Sequence, residues 1–220
     1  MNYRYSTTQA PAIEDLTHTL SHHLSEGKTV FWLVSGGSAI AIAVAVAKGL
    51  QGVPTHNLTV SLVDERYGDI GHANENWQQL LDAGFAVADA TLYRPLIGAD
   101  RHDTAMAFSN WLGDQFGQSD YCIGLLGIGA DGHTSGIKAG SVATQAEGWA
   151  TDYVWDDYER ITTTFDAIKR LDEVVIYAMG ADKAPVIRDL LHHDVDLNSQ
   201  PAQVLKHVNK STLYTDYKED

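Results

Sequence analysis

The chain is poor in three things, and each shortage narrows what it can be. Its 220 residues include one cysteine, Cys122, so no disulfide framework or cysteine-based metal cluster can form within it. Cys122 lies in the apolar run from Tyr121 to Leu126, where it reads as a buried, reduced thiol suited to a cytoplasmic protein. Basic residues are also scarce: 15 Lys and Arg stand against 29 Asp and Glu, for a formal charge of -14. That balance argues against nucleic acid or an anionic membrane as partner. An anionic ligand would need a few basic side chains to converge and invert the field locally. Finally, no apolar run is long enough to cross a membrane without interruption. The closest, Val30 to Ala47, is broken by Ser35-Gly36-Gly37-Ser38 and reads as strand, loop and helix. The stretch from Met1 to Ala12 is polar and lacks the basic-then-apolar pattern of a secretory signal.

What is present points to an α/β protein. With 44% hydrophobic residues the chain can bury a large core, and no linker or repeat divides it, so residues 1–220 are expected to form one domain. Ile13, Leu16, Leu20 and Leu24 make a helical stripe that stops at Gly27. His18, His22 and His23 decorate this helix as surface or packing residues, with no carboxylate or cysteine ligand set evident beside them. Thr29 to Val34 is β-branched and aromatic without alternation, the pattern of a strand covered on both faces, and Val174 to Met179 reads the same way. Leu58 to Val63 and Tyr121 to Leu126 are further strands, and shorter ones are expected at Thr91 to Tyr93, Trp149 to Val154, Arg160 to Thr164 and Ser211 to Tyr214. Helices are expected over Ala39 to Lys48, Trp77 to Leu81, Asp103 to Phe116 with Gly117 closing it, and after Lys183 as far as Leu191, with a short helical piece in the tail from Pro201. Such alternation implies a mainly parallel sheet with helices on both faces.

Unusual residues gather where the apolar strands stop. Ser35 to Ser38 opens onto a helix N-terminus, whose free N-H groups and positive dipole end suit an anion, although the glycines also serve a plain tight turn. The loop is neither GxxxxGK[ST] nor GxGxxG. Asp64-Glu65-Arg66 ends the second strand, and Asn74 and Asn76 follow as helix caps or ligand contacts. Leu125 to His133 runs an apolar strand into Gly127, Gly129 and Gly132, then delivers Asp131 and His133 as candidate orienter and general base. Read alone, it is equally an ordinary strand-to-loop turn. Gly180 and Lys183 complete the set. In open α/β sheets ligands bind outside the carboxyl ends of strands, so these loops are expected to share one cleft.

Taken in order, the motifs resemble those of the 6-phosphogluconolactonases, within the larger group that includes the glucosamine-6-phosphate deaminases and has a modified Rossmann-like fold. The likeness runs from about Val30 to the tail. It rests on Ser35-Gly36-Gly37-Ser38; Asp64-Glu65-Arg66 with Asn76 twelve residues after Asp64; Gly127-Ile128-Gly129-Ala130-Asp131-Gly132-His133; Arg160-Ile161-Thr162; and Gly180-x-x-Lys183-Ala184. Each is weak alone, but five in sequence are specific. The resemblance implies hydrolysis of 6-phospho-D-glucono-1,5-lactone to 6-phosphogluconate, the second step of the oxidative pentose phosphate pathway, by a monomer or homodimer without cofactor or metal. It implies His133 as the base that activates water, with Asp131 beside it. Ser35, Gly36, Gly37, Ser38, Asp64, Arg66, Asn76, Gly129, Arg160 and Lys183 would bind the sugar and its phosphate. A lactone is an activated ester, so a neutral imidazole with N-H donors for the developing oxyanion would suffice.

Against the sister activity, the deaminases carry Asp-Glu-Tyr where this chain has Asp64-Glu65-Arg66, and a glutamate five residues after the motif histidine, where Lys138 stands here. A guanidinium grips phosphate bidentately, which a phenol cannot. The chain also departs from the lactonase pattern, with Thr134-Ser135-Gly136-Ile137-Lys138 after the histidine, Ala39-Ile40 after the first loop and Gly68-Asp69 after Tyr67. These changes bear on substrate grip, and they leave an amino-sugar-phosphate isomerase or deaminase and a non-catalytic phosphosugar-binding protein as alternatives.

Overall fold

Strand β2 (Val30–Val34) explains why its sequence shows no alternation. All five residues are buried, yet they serve two cores: Phe31 and Leu33 pack on one side of the sheet, Val30, Trp32 and Val34 on the other. A strand covered on both faces has no polar side to display. Helices α1 (Ala10–Ser25), α2 (Ala39–Gly49) and α3 (Asn76–Asp82) cover the Trp32 face. Helices α4 (Arg101–Gln118), α5 (Phe165–Lys169) and α6 (Ala184–His192) cover the Phe31 face. The computed structural model describes residues 1–156 and 158–219.

The main sheet has seven strands, all parallel: β2, β3 (Leu58–Leu62), β5 (Thr91–Leu92), β6 (Tyr121–Gly127), β9 (Glu173–Ala178), β10 (Lys210–Thr215) and β1 (Asn2–Tyr5). Their spatial order is β1-β10-β9-β6-β2-β3-β5. The chain works outward from β2 to β5, then returns to the other side of β2 with β6. That reversal leaves a crevice between the carboxyl ends of β2 and β6, the position at which such sheets bind ligands. A second sheet, of β4 (Asp64–Arg66), β8 (Glu159–Thr163) and β7 (Ala150–Val154), is antiparallel and lies over this end. Among the described residues no helix is long and apolar enough to cross a membrane.

The structure corrects four local expectations. The polar N-terminus forms β1, an edge strand held by main-chain pairing of Asn2 with Thr212 through Tyr5 with Thr215, which leaves no apolar signal to read. Asp64-Glu65-Arg66 is a strand, not a loop. Helix α4 begins two residues early, because Asp100 caps it by accepting the Asp103 N-H at 2.9 Å, and it runs through Gly117 to Gln118. Beyond it, the paired bonds between Thr29 and Asp120 turn the chain back into the sheet. Neither Asn74 nor Asn76 caps α3: Glu75 holds that position without a side-chain cap, its buried carboxylate instead gripped by Arg94 at 2.6 and 2.7 Å.

Glu65 is the hub of the β4 turn. Fully buried, its carboxyl accepts the backbone N-H groups of Arg66, Asn76 and Trp77 at 2.7, 2.6 and 2.9 Å, which fixes β4 against the start of α3. Burial pushes the Glu65 carboxyl up to about 8, with the three N-H donors pulling against it. The folded form then holds a proton that the unfolded chain releases near 4.5. Stability from this group is complete below that value and is lost as pH rises toward about 8. Thermal melts across this window should therefore fall with rising pH, and Glu65→Gln should flatten that slope.

Candidate active site

The crevice between the strand ends is a cleft of about 280 Å³. Its walls include Ser35, Gly36, Gly37 and Ser38 from the loop after β2, Asp64 and Arg66 from β4, Asn76 from α3, Gly129 and His133 from the loop after β6, Arg160 from β8 and Lys183 before α6. Every substrate-binding position expected from the sequence is thus brought to one place. Asp131 is the exception: it does not line the cleft, and it meets the site only through its neighbours.

One side of the cleft gathers two arginines. Arg66 and Arg160 are directly paired across β4 and β8, an arrangement in which like charges repel. Two features offset the repulsion. Both guanidinium groups lie over the ring of Tyr158, at 4.8 and 5.6 Å from its centre, and Asp64 sits 4.0 Å from Arg160. Burial raises the Asp64 carboxyl, while the charges of Arg160 and Arg66 draw it back down. Opposite them, Gly37 takes a φ of 62°, and the N-H groups of Gly36, Gly37 and Ser38 have no acceptor among the described residues. A Cβ on Gly36 would collide with the Asn76 amide, whose Nδ2 donates to the Asp64 carbonyl at 3.1 Å. Ser35 Oγ, Arg66 Nε and Asn76 Oδ1 are buried without a hydrogen-bond partner among the described residues. Buried polar atoms left open are costly, and three in one cleft indicate that a polar ligand completes them.

The other side presents His133. Its Nδ1 is in short contact with Asp131 Oδ1, and Lys138 Nζ lies 2.9 Å from Asp131 Oδ2 and 3.2 Å from the same Nδ1. Burial would raise the Asp131 carboxyl, but the Lys138 hydrogen bond and the neighbouring His133 outweigh it and hold it far below the usual carboxylate range. The loop is stitched down behind the ring. Thr134 Oγ1 donates to the Gly127 carbonyl at 2.8 Å, Ser135 Oγ to the Val63 carbonyl at 2.9 Å, and the Gly136 N-H to Thr162 Oγ1 at 2.9 Å. Ser135 pays for this with a φ of 54°, a left-handed conformation that costs about 1 kcal/mol for a residue with a side chain. Gly129 must be glycine, because a Cβ there would overlap the His133 ring and the Asp131 carboxylate.

Sequence reasoning placed Lys138 only as a contrast with the deaminases and passed over Ser135 and Tyr158. Lys138 and Ser135 line the cleft. Their signal was the departure from the usual motif after His133; Tyr158 left no signal, since only the β4–β8 pairing brings it to Arg66. The helix histidines also need correction: Glu26 does accompany His22 and His23, with ligand atoms within 4.8 Å of one another. Lys28 Nζ already sits 3.0 Å from both Glu26 Oε2 and His23 Nδ1, filling the cluster with its own cation.

A family model described as glucosamine-6-phosphate isomerases/6-phosphogluconolactonase matches residues 6–214. The chain is 25% identical over 169 residues to the 6-phosphogluconolactonase of Helicobacter pylori, covering 74% of this chain and 72% of that one. Among solved structures, a 6-phosphogluconolactonase from Shewanella baltica superposes with a TM-score of 0.83 at 17% identity, covering 98% of this chain and 97% of its own. A monomeric glucosamine-6-phosphate deaminase superposes almost as well, with a TM-score of 0.82 at 18% identity over 98% and 97% of the two chains. The shared fold therefore does not discriminate between the two activities; the side chains in the cleft must.

Proposed function

The chain belongs to the glucosamine-6-phosphate isomerase/6-phosphogluconolactonase family, and from that premise we propose that it hydrolyses 6-phospho-D-glucono-1,5-lactone to 6-phosphogluconate. In this reading residues 1–220 act as one phosphosugar lactonase-like domain, as a monomer or homodimer. The observation that carries it is the facing arrangement of a paired-arginine anion grip and a histidine whose Nδ1 is engaged by a carboxylate. With Nδ1–H donated to Asp131, Nε2 keeps its lone pair and can accept a proton from water as that water attacks the lactone carbonyl. The N-H groups of the Gly36 to Ser38 loop are the donors available to the sugar and to the developing oxyanion. Arg66, Arg160 and Lys183 hold the phosphate. No side-chain partner of the Lys183 ammonium is found among the described residues, so it is available.

Lys138 favours this reading over ammonia release. It occupies the position five residues after the histidine where the resembling deaminases carry a glutamate, and its ammonium cannot serve as a base for ring opening. The decisive assay follows loss of freshly generated lactone against its spontaneous hydrolysis, with ammonia release from glucosamine 6-phosphate run alongside. Acceleration of the first and silence in the second support the lactonase; the reverse pattern overturns it. Ligand-induced thermal stabilisation with no turnover of either would make the chain a binding protein. Within the lactonase reading, Gly129→Ala should lower turnover about a hundredfold, because the new Cβ pushes the His133 ring out of its working position. Steady-state kinetics on the folded variant check this.

A further inference from the structure

The environment of His133 Nδ1 holds two neighbours with incompatible demands. A carboxylate only accepts hydrogen bonds, and an ammonium only donates them. If Asp131 accepts a hydrogen bond from Nδ1–H, Nε2 is left as the basic atom. If Lys138 donates to Nδ1 instead, the ring proton must sit on Nε2, and that nitrogen can no longer accept a proton from water. In the structure Asp131 wins: its Oδ1 is closer to Nδ1 than Lys138 Nζ is, while Lys138 makes its shorter bond, 2.9 Å, to Asp131 Oδ2. Lys138 is 14% exposed at its side chain, so it is held in this corner, and Asp131 and His133 are the only hydrogen-bond partners of its ammonium among the described residues. The other charged groups lining the cleft are Arg66, Arg160 and Lys183, which are cationic, and Asp64, which is engaged with Arg160. Among the described residues, Asp131 is therefore the one anion that ties Lys138 down.

We propose that Lys138, Asp131 and His133 form a tautomer-selecting triad. Lys138 is a positioning residue in it: bound to Asp131 it fixes the carboxylate against Nδ1, and without Asp131 it swings its donor onto Nδ1 and disables the base. The role of Asp131 is thus double, to accept the hydrogen bond from Nδ1–H and to keep a neighbouring cation off the same nitrogen. The proposal rests on the reading of His133 as the general base, and its test includes a measurement that does not depend on that reading.

The test uses the full chain with ¹⁵N-labelled histidine and the variants Asp131→Ala, Lys138→Met, Lys138→Arg and the Asp131→Ala/Lys138→Met double. Ring-nitrogen shifts of His133, recorded where the ring is neutral, report the tautomer directly. The wild type and Lys138→Arg should show the Nδ1–H form, and Asp131→Ala the Nε2–H form. The double variant should regain part of the Nδ1–H population and turn over lactone roughly threefold or more faster than Asp131→Ala alone. That rescue by removing a second residue is the signature a merely structural lysine would not produce. A double variant no faster than Asp131→Ala, or a ring that keeps Nδ1–H when Asp131 is gone, overturns the proposal. If wild type itself leaves the lactone untouched, the lactonase reading fails, while the ring-nitrogen shifts still decide the tautomer.

Discussion

His133→Ala should hydrolyse 6-phosphogluconolactone about 10² to 10⁴ times more slowly than the wild type, the range that a positioned general base contributes. The loss should fall on kcat. In the proposed reading Arg66, Arg160 and Lys183 grip the phosphate, and none of these contacts passes through the imidazole. Thermal stability should hardly change. His133 is about a third exposed, and its loop is anchored by Thr134, Ser135 and Gly136 rather than by the ring. Residual activity in this variant is informative too, because the loop N-H donors remain and an oxyanion donor is worth a factor comparable to the base. Stopped assays corrected for spontaneous hydrolysis, with a melting curve for each protein, check both halves. A variant with unchanged kcat would remove His133 from the mechanism.

Arg66→Met should reverse that pattern. In the proposed reading its charged hydrogen bonds to phosphate would each be worth about 1.5 to 3 kcal/mol, so kcat/KM should fall by one to two orders of magnitude, carried by KM. Stability should hold or rise, because the substitution removes one of two like charges paired directly across β4 and β8. In the unliganded protein the guanidinium has little to lose: its Nε is buried without a partner among the described residues, and NH1 reaches only the Asn74 carbonyl at 3.2 Å. Arg66→Lys should fail to restore KM, since a point charge lacks the fork and does not stack on Tyr158 as a planar guanidinium does. An Arg66→Met variant with wild-type KM, or one that melts far below wild type, would show that the pair is structural.

These two residues also show which kinds of information reside in the chain and which do not. His133 was legible because the motif around it is continuous: an apolar strand, glycines, then Asp131 and His133 within nine residues. Arg66 was legible as a charge at a strand end, but Arg160 only through resemblance, since nothing in either local segment says that 94 residues later another arginine lies opposite. Lys138 was visible as an odd residue at a known offset, but its contact with Asp131 depends on the turn that Ser135 makes at positive φ. Strand β1 was missed because an edge strand held by main-chain bonds has no need of apolar side chains.

By itself, the sequence determined the class of the fold, the positions of its covered strands along the chain and the glycine-rich turns at their ends. Those features follow from local rules: burial on both faces demands continuous apolar runs, and tight turns beside a ligand demand glycine. Tertiary structure alone decided that two repelling arginines are held together by Asp64 and Tyr158, and that a lysine and an aspartate compete for one ring nitrogen. Each of those depends on the return of the chain from β5 to β6 and on the second sheet laid across the strand ends, which bring side chains distant in sequence within a few ångströms. Charge repulsion, tautomer choice and unsatisfied buried donors arise only at such distances.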